Sequence, residues 1–157
     1  FLTRMGLTVN EDKTRQVDVR DTAIHFLGFE IRYDKDLFGR GTKYWNIKPS
    51  RKSLNKIRES IRQATHGYLH YRVIDFVERL NQIIRGWLNY YDITSTSYMR
   101  KAKREISGYL RMMLVRYFNR KSQRKSRLYK KDAFGILVRK HKLIDPIAYT
   151  RPMPKPV

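Results

Sequence analysis

Cysteine is absent from the sequence, which excludes disulfide bonds and thiolate metal sites and gives no sign of an oxidising compartment. No apolar run approaches the roughly 18 residues that a membrane-spanning helix requires, so we expect no membrane partner. The chain is nevertheless 41% hydrophobic and 13% aromatic, which is too apolar for a disordered basic tail. Its 157 residues can therefore bury one modest core or two small ones.

Acidic residues are scarce in the second part of the chain. Up to Pro49 there are nine Lys/Arg and seven Asp/Glu, a net charge of +2, whereas from Ser50 onward there are twenty-six and seven, a net of +19. Between Ile93 and Lys131, Glu105 is the single acid among thirteen basic residues. Self-repelling charge of this kind usually has a polyanion to neutralise it. The asymmetry predicts a near-neutral segment joined to a nucleic-acid-binding segment.

Residues before Pro49 are predicted to form strands and turns. Ile24–Tyr33 is rich in β-formers and is the best strand candidate. Asp34–Thr42 contains two glycines and is interpreted as the loop of a hairpin that returns through Tyr44–Ile47. The alternation of Lys13–Val19 is typical of an exposed strand.

The chain opens without an initiator Met, and Phe1–Met5 resembles the last turn of a helix. We therefore expect a fragment, or the product of a truncated gene, of something longer.

After Pro49 the apolar period becomes helical, with Ser50 as a plausible N-cap. The first helix has an apolar stripe at Leu54, Ile57, Ile61 and Ala64. The second, from about Val73 to Tyr91, has its stripe at Ile74, Val77, Leu80, Ile84, Trp87 and Tyr91. Trp87 should be largely buried. Gly86 should lie where another element approaches closely, because a glycine inside a helix otherwise costs about 1 kcal/mol relative to alanine. The third, from near Ser97 to about Asn119, turns inward Tyr98, Ala102, Tyr109, Met113 and Tyr117. A weaker helix is predicted over Asp132–Lys142, followed by a proline-rich, non-helical end.

Basic residues recur on the other faces of these helices. The first helix carries Arg51, Lys52, Lys56, Arg58 and Arg62. The third carries Arg100, Lys103, Arg104, Arg111 and Arg116. Seven charges in the twelve residues from Arg120 to Lys131 follow, including Lys121, Arg124, Lys125 and Arg127. A charge run alone is usually a solvated face, but this one continues two stripes with almost no acid to pair with, which favours nucleic-acid contact.

Residue patterns for catalysis or metal binding are weak. His66 and His70 have the spacing of a two-histidine metal site, but no acid lies near them and Gly67 separates them. They are interpreted as two polar residues in a loop between helices. Asp34 and Asp36 fall in a glycine-containing loop, where aspartate is common for turn reasons. The sequence predicts no metal and no cofactor in this chain.

Four short motifs, in this order, are more specific: GLTVNEDKT from Gly6, FLGF from Phe26, KPSRKS from Lys48 and RGWLNYY from Arg85. Together they resemble the group II intron reverse transcriptases, from the end of the palm through the thumb, which in this family is called the maturase or X domain. The resemblance covers Gly6 to about Lys131.

The resemblance implies an α+β fold in three parts. Residues 1–48 would be the C-terminal edge of the palm, a small antiparallel β segment that includes the primer-grip hairpin. Residues 49–131 would be the thumb or maturase-specific domain, a mainly α three-helix bundle. Residues 132–157 would be a C-terminal extension with a proline-rich tail.

The resemblance also implies roles for particular residues. Lys13 would face the phosphates of the incoming nucleotide or protonate the leaving group, although an exposed strand lysine is the alternative. Phe26, Leu27, Gly28 and Phe29 would form the primer grip, where a glycine lets backbone approach the primer terminus. The basic helices would hold RNA by its backbone.

The function implied is RNA binding: gripping template–primer duplex and intron RNA to support reverse transcription and splicing. The alternatives are a stand-alone splicing-assistance protein and a piece of a retron-like or defence-associated reverse transcriptase. A ribosome-associated basic protein would explain the charge but not the motif order. A location in the bacterial cytoplasm, associated with nucleic acid, is expected.

Catalysis by this chain alone is not expected, because the family's metal-binding pair of adjacent aspartates does not occur in the sequence. Mg²⁺ is expected for the intact polymerase, and the missing N-terminal fingers and palm would be a partner of this chain.

Overall fold

The computed structural model describes Asp18, Arg20 and residues 22–35, 41–93, 97–120, 127–129 and 131–150. These residues form a three-stranded antiparallel sheet followed by four helices, so the predicted α+β class is confirmed. The helical turn predicted at Phe1–Met5 lies outside the described residues, as does nearly all of the strand predicted at Lys13–Val19.

The sheet is a meander of β1 (Ile24–Phe26), β2 (Phe29–Lys35) and β3 (Lys43–Pro49), in the order β1-β2-β3. The single strand predicted over Ile24–Tyr33 is wrong, because the chain reverses at Leu27 and Gly28. Both residues have positive φ angles, 47° and 83°, as a two-residue hairpin turn requires.

The turn between β1 and β2 is attached to the helices. The Gly28 carbonyl accepts a hydrogen bond from the Ser50 amide at 2.8 Å, and the Leu27 carbonyl accepts one from the Tyr90 hydroxyl at 3.0 Å. A Cβ atom at Gly28 would collide with the Tyr91 hydroxyl. Glycine at this position therefore serves both the turn conformation and the close approach of a tyrosine.

Four helices follow: α1 (Arg51–Gly67), α2 (Val73–Tyr91), α3 (Arg100–Arg120) and α4 (Ala133–His141). Ser50 caps α1 as predicted, because its side-chain oxygen accepts a hydrogen bond from the Ser53 amide at 3.3 Å.

The third helix begins later than the sequence predicted. Ser97, where its start was expected, pairs instead with Ile47 of β3 in an isolated parallel bridge. The Tyr98 amide donates a hydrogen bond of 2.7 Å to the Ile47 carbonyl. The chain between α2 and α3 is thus tied to the sheet before α3 starts.

The hydrophobic core lies between the helices. Its fully buried side chains recur at helical spacing and include Ile61, Phe76, Leu80, Ile84, Leu88, Ile106, Leu110, Leu114 and Leu137. The stripe predicted for the first helix is buried at all its positions. Ile74 and Tyr98 were expected to be buried and are about half exposed. Ile74 lies in the first turn of α2, and Tyr98 precedes α3 and contacts the Tyr44 ring edge-on.

Gly86 and Trp87 also differ from expectation. Gly86 was predicted to lie against another element, but it is exposed, and a Cβ atom there would meet no atom within 4 Å in the part of the chain that the structure describes. Trp87 was predicted to be largely buried and is partly exposed, with its indole N–H donating to the Ser53 hydroxyl at 3.1 Å. The reason is that α2 turns Ile84 and Leu88 into the core and leaves Gly86 on the outer surface.

Residues 142–149, which we call the C-terminal strap, run along α2 in the same direction as the helix, from Asn81 to Asn89. The Asn81 side chain donates to the Lys142 carbonyl at 3.0 Å and accepts from the Ile144 amide at 2.8 Å. The Tyr149 hydroxyl donates to the Asn89 side chain at 2.7 Å. No helix in the described ranges is long and apolar enough to span a membrane.

Candidate nucleic-acid interface

The N-terminal half of α1 presents basic side chains to solvent. Its core stripe lies on one face, so Arg51, Lys52 and Lys56 fall on the exposed side. Arg51 lies 3.6 Å from the Glu105 carboxylate, an exposed pair that contributes little stability. Within the described part of the chain, Lys52 and Lys56 have no carboxylate at ion-pair distance.

Arg58 differs from its neighbours, because its guanidinium points across to α3. It forms an ion pair and hydrogen bond with Glu105 and lies 5.9 Å from the centre of the Tyr109 ring. Its side chain is 23% exposed, and its buried Nε atom has no hydrogen-bond partner among the described residues. Arg58 therefore joins α1 to α3, and its contact with nucleic acid stays a prediction.

Arg62 is exposed and is paired within its own helix. It donates two hydrogen bonds of 2.8 Å to Glu59, which lower the pKa of that carboxyl and raise the pKa of the guanidinium. Arg62 therefore lies at the surface with its positive charge partly neutralised by Glu59.

The third helix presents Arg100, Arg104 and Arg111 to solvent. Arg111 lies over the Phe134 ring of α4, 3.9 Å from its centre, which fixes the side chain in place. Lys103 is different: it is 2.6 Å from the Asp92 carboxylate, donates to the Tyr149 carbonyl and is only 15% exposed. Lys103 thus holds the C-terminal strap, and its predicted nucleic-acid contact is untested.

The β1–β2 turn carries the candidate primer grip. Phe29 packs against Tyr90 and Tyr91 of α2, with ring centres 5.8 and 4.8 Å apart. Phe26 and Leu27 are 61% and 66% exposed. The turn is therefore anchored on its inner side and offers an apolar tip to solvent. Lys13, the candidate catalytic residue, lies outside the described residues.

The basic run after α3 is described only in part. Arg120, the last residue of α3, and Arg127 are both exposed. Lys121, Arg124 and Lys125 lie outside the described residues.

His66 is placed differently from the sequence interpretation. It lies in the last turn of α1 rather than in a loop, and it lines a cleft together with Arg62 and Arg116. The described residues contain no cluster of His, Asp or Glu able to hold a metal. The sequence could not show this neighbourhood, because it depends on how α1 and α3 pack.

Asp34, once a weak candidate metal ligand, lies in β2. Its carboxylate accepts a hydrogen bond from the Asn46 side chain at 2.7 Å and lies 3.5 Å from Arg32. These contacts are those of a residue that stabilises the sheet.

These helices carry the signature of a known family. Comparison with protein-family models finds the maturase-specific domain of group II introns at residues 54–132, about half of the chain, from the first turn of α1 to the residue before α4. The chain belongs to the group II intron maturase family, and its function is related to that of these maturases. A search of the curated proteins found no match.

Proposed function

We propose that this chain is the RNA-gripping part of a group II intron reverse transcriptase and maturase. It would bind intron RNA and template–primer duplex, and so support splicing and reverse transcription. One observation carries the proposal: within the maturase-specific domain and its flanks, exposed basic side chains on α1 and α3 have no acid to pair with in the described ranges. They include Lys52, Lys56, Arg100 and Arg104.

The chemistry of RNA supports this role. A-form duplexes hide their base edges in a deep, narrow groove, so proteins hold them through phosphates and 2′-hydroxyls. Such contacts need cations at fixed positions more than base-reading side chains. Helices α1 and α3 supply such positions, since buried stripes hold both in the core.

The β1–β2 turn fits the proposed contact with a primer. Its backbone is fixed by hydrogen bonds from Ser50 and Tyr90, while Phe26 and Leu27 remain exposed. In this proposal, nucleotide transfer uses Mg²⁺ held by an aspartate pair of the fingers-and-palm partner. This chain positions the nucleic acid and does not supply the metal ligands.

The proposal is tested by a salt titration of affinity for a group II intron RNA. The test variant has glutamine at four positions on α1 and α3: Lys52, Lys56, Arg100 and Arg104. The control variant has glutamine at four exposed basic positions of α2 and α4: Arg79, Arg85, Arg139 and Lys140. Both variants lose the same charge, so net charge alone cannot separate them.

We expect the test variant to bind more weakly and to flatten the slope of log affinity against log salt by roughly three, at about 0.7–0.9 per phosphate contact. The control variant should keep a slope close to that of the wild-type chain. Equal losses in both variants would contradict the assignment to α1 and α3. A splicing assay at limiting Mg²⁺, with the same proteins, measures whether binding assists the intron.

A further inference from the structure

A second basic feature lies at the far end of α1 and α3. The two helices run parallel: Arg58 meets Glu105 near one end, and the Tyr117 hydroxyl donates to the Tyr68 carbonyl at 2.9 Å near the other. Between their C-terminal halves is a cleft of about 250 Å³. Because the helices are parallel, both C-termini point toward this end.

Cations from both helices line the cleft. Arg62 and His66 come from α1, and Arg116 and Arg120 come from α3, one helical turn apart. Tyr109 forms part of the wall. Buried Tyr117 also lines it, and burial raises the pKa of its phenol to about 12, so the phenol stays protonated. Because the Tyr117 hydroxyl donates to the Tyr68 carbonyl, the donors that the cleft offers are chiefly its three guanidinium groups.

The positive charge of the cleft exceeds what its surroundings neutralise. Arg62, Arg116 and Arg120 contribute three charges, of which Glu59 offsets one through its pair with Arg62. Each helix C-terminus is equivalent to roughly half a negative charge, so the two ends offset about one more. About one positive charge remains before His66 is counted. In the described ranges, Arg116 and Arg120 have no carboxylate partner.

The group that suits this cleft is a phosphate. Guanidinium groups offer planar pairs of N–H donors that match phosphate oxygens, and two of the three here have no carboxylate partner in the described ranges. The cleft opens to solvent, so a phosphate that belongs to a continuous chain can enter it. We propose that the α1–α3 cleft binds a backbone phosphate of the RNA, and this inference rests on the proposed function.

The first test compares two double variants of the full chain in the RNA salt titration. Arg116→Gln with Arg120→Gln removes both unpaired guanidiniums of the cleft, and Arg79→Gln with Arg85→Gln removes two exposed charges from α2. We expect the cleft variant to flatten the salt slope by about one and to lose roughly tenfold in affinity. The α2 variant should leave the slope unchanged.

Folding is checked separately by melting curves for both variants. Arg116 and Arg120 are exposed, so neither substitution opens the core. If the double variant melts early, Arg116→Gln alone is used, and a flattened slope at unchanged melting temperature supports the proposal.

A second arm uses inorganic phosphate as the probe. At fixed pH and ionic strength, the NMR signals of His66 should shift saturably when phosphate replaces chloride, and Arg116→Gln with Arg120→Gln should abolish the shift. A phosphate shift combined with unchanged RNA binding would assign the cleft to free phosphate compounds and overturn the proposal. A flattened RNA slope without a phosphate shift supports it, since the RNA chain then delivers the phosphate.

Failure of this inference is distinguishable from failure of the proposed function. If the cleft variant behaves like the α2 variant while the glutamine variant of α1 and α3 loses affinity, the cleft proposal is wrong and RNA binding stands. If the wild-type chain does not bind the RNA, both proposals are wrong.

Discussion

Gly28 lies in the left-handed region of the backbone, where a residue with a side chain is strained. It also lies against the Tyr91 hydroxyl, so two separate penalties fall on any substitution there. Gly41 has the same kind of backbone conformation, with a φ of 69°, but a Cβ atom there would meet no atom of the described residues within 4 Å. Substitutions at the two glycines therefore distinguish the cost of backbone strain, which both share, from the cost of steric contact, which only Gly28 has.

We predict that Gly28→Ala lowers the free energy of unfolding more than Gly41→Ala does. Strain alone should cost each variant about 1–2 kcal/mol. Gly28→Ala should lose more because Tyr91 must move, which also disturbs its contact with Phe29. Urea denaturation of both variants measures the difference. Equal losses would show that Tyr91 yields without cost.

Arg58 and Lys103 show a limit of prediction from sequence at this scale. Both lie in basic stripes and cannot be told from their neighbours by spacing. The partner of Arg58, Glu105, is 47 residues away along the chain. Lys103 meets Asp92 from the end of α2 and the Tyr149 carbonyl from the strap. Only the packing of the helices reveals which basic residues are held inside. Charge reversal at Arg58 would consequently test stability as much as binding.

At the scale of elements, the helices could be predicted well from their apolar periodicity, whereas the hairpin at Phe26–Phe29 was implied by the family resemblance alone. The N-cap at Ser50 and the apolar stripe of α1 can be recognised from residues that are close together in the sequence. The β-forming residues continue through Leu27 and Gly28 without the Asn-Gly or Asp-Gly pair that is typical of two-residue turns, so Ile24–Tyr33 reads as one strand although it is two. The start of α3 was misplaced because Ser97 pairs with Ile47, a distant residue.

The C-terminal strap depends heavily on one side chain. We predict that Asn81→Ala lowers the free energy of unfolding by about 1–3 kcal/mol, because it removes two hydrogen bonds to the strap, at Lys142 and Ile144. Amide hydrogen exchange in the strap should speed up more than in α1.

Asn119→Ala is the matched control, since Asn119 is exposed on α3 and the described structure shows no hydrogen bond from its side chain. It should leave stability unchanged or slightly raised, as alanine favours helix. Similar losses in the two variants would show that the strap hydrogen bonds contribute little.

For the whole molecule, the formal net charge of +21 sets two opposite responses to salt. Like charges on α1 and α3 repel one another in the free chain, and salt weakens that repulsion. The same salt competes with protein for RNA phosphates. Stability and binding should therefore change in opposite directions.

We predict that the melting temperature of the free chain rises between about 0.1 and 1 M NaCl, where the Debye length falls from roughly 10 to 3 Å. RNA affinity should fall by orders of magnitude over the same range. Calorimetry and fluorescence anisotropy measure the two responses. A melting temperature that fell with salt would indicate that ion pairs such as Lys103–Asp92 outweigh the repulsion.

The sheet is pinned to the helices at separate places: the β1–β2 turn at Ser50 and Tyr90, and the middle of β3 at Ser97 and Tyr98. A body attached at one point can swing about it, whereas a body attached at several points cannot rotate without breaking one of them. The exposed tip at Phe26 and Leu27 is thus held in one position relative to the helical bundle. In the proposed function, this attachment would keep the tip at a constant distance from the face of α1 that holds RNA.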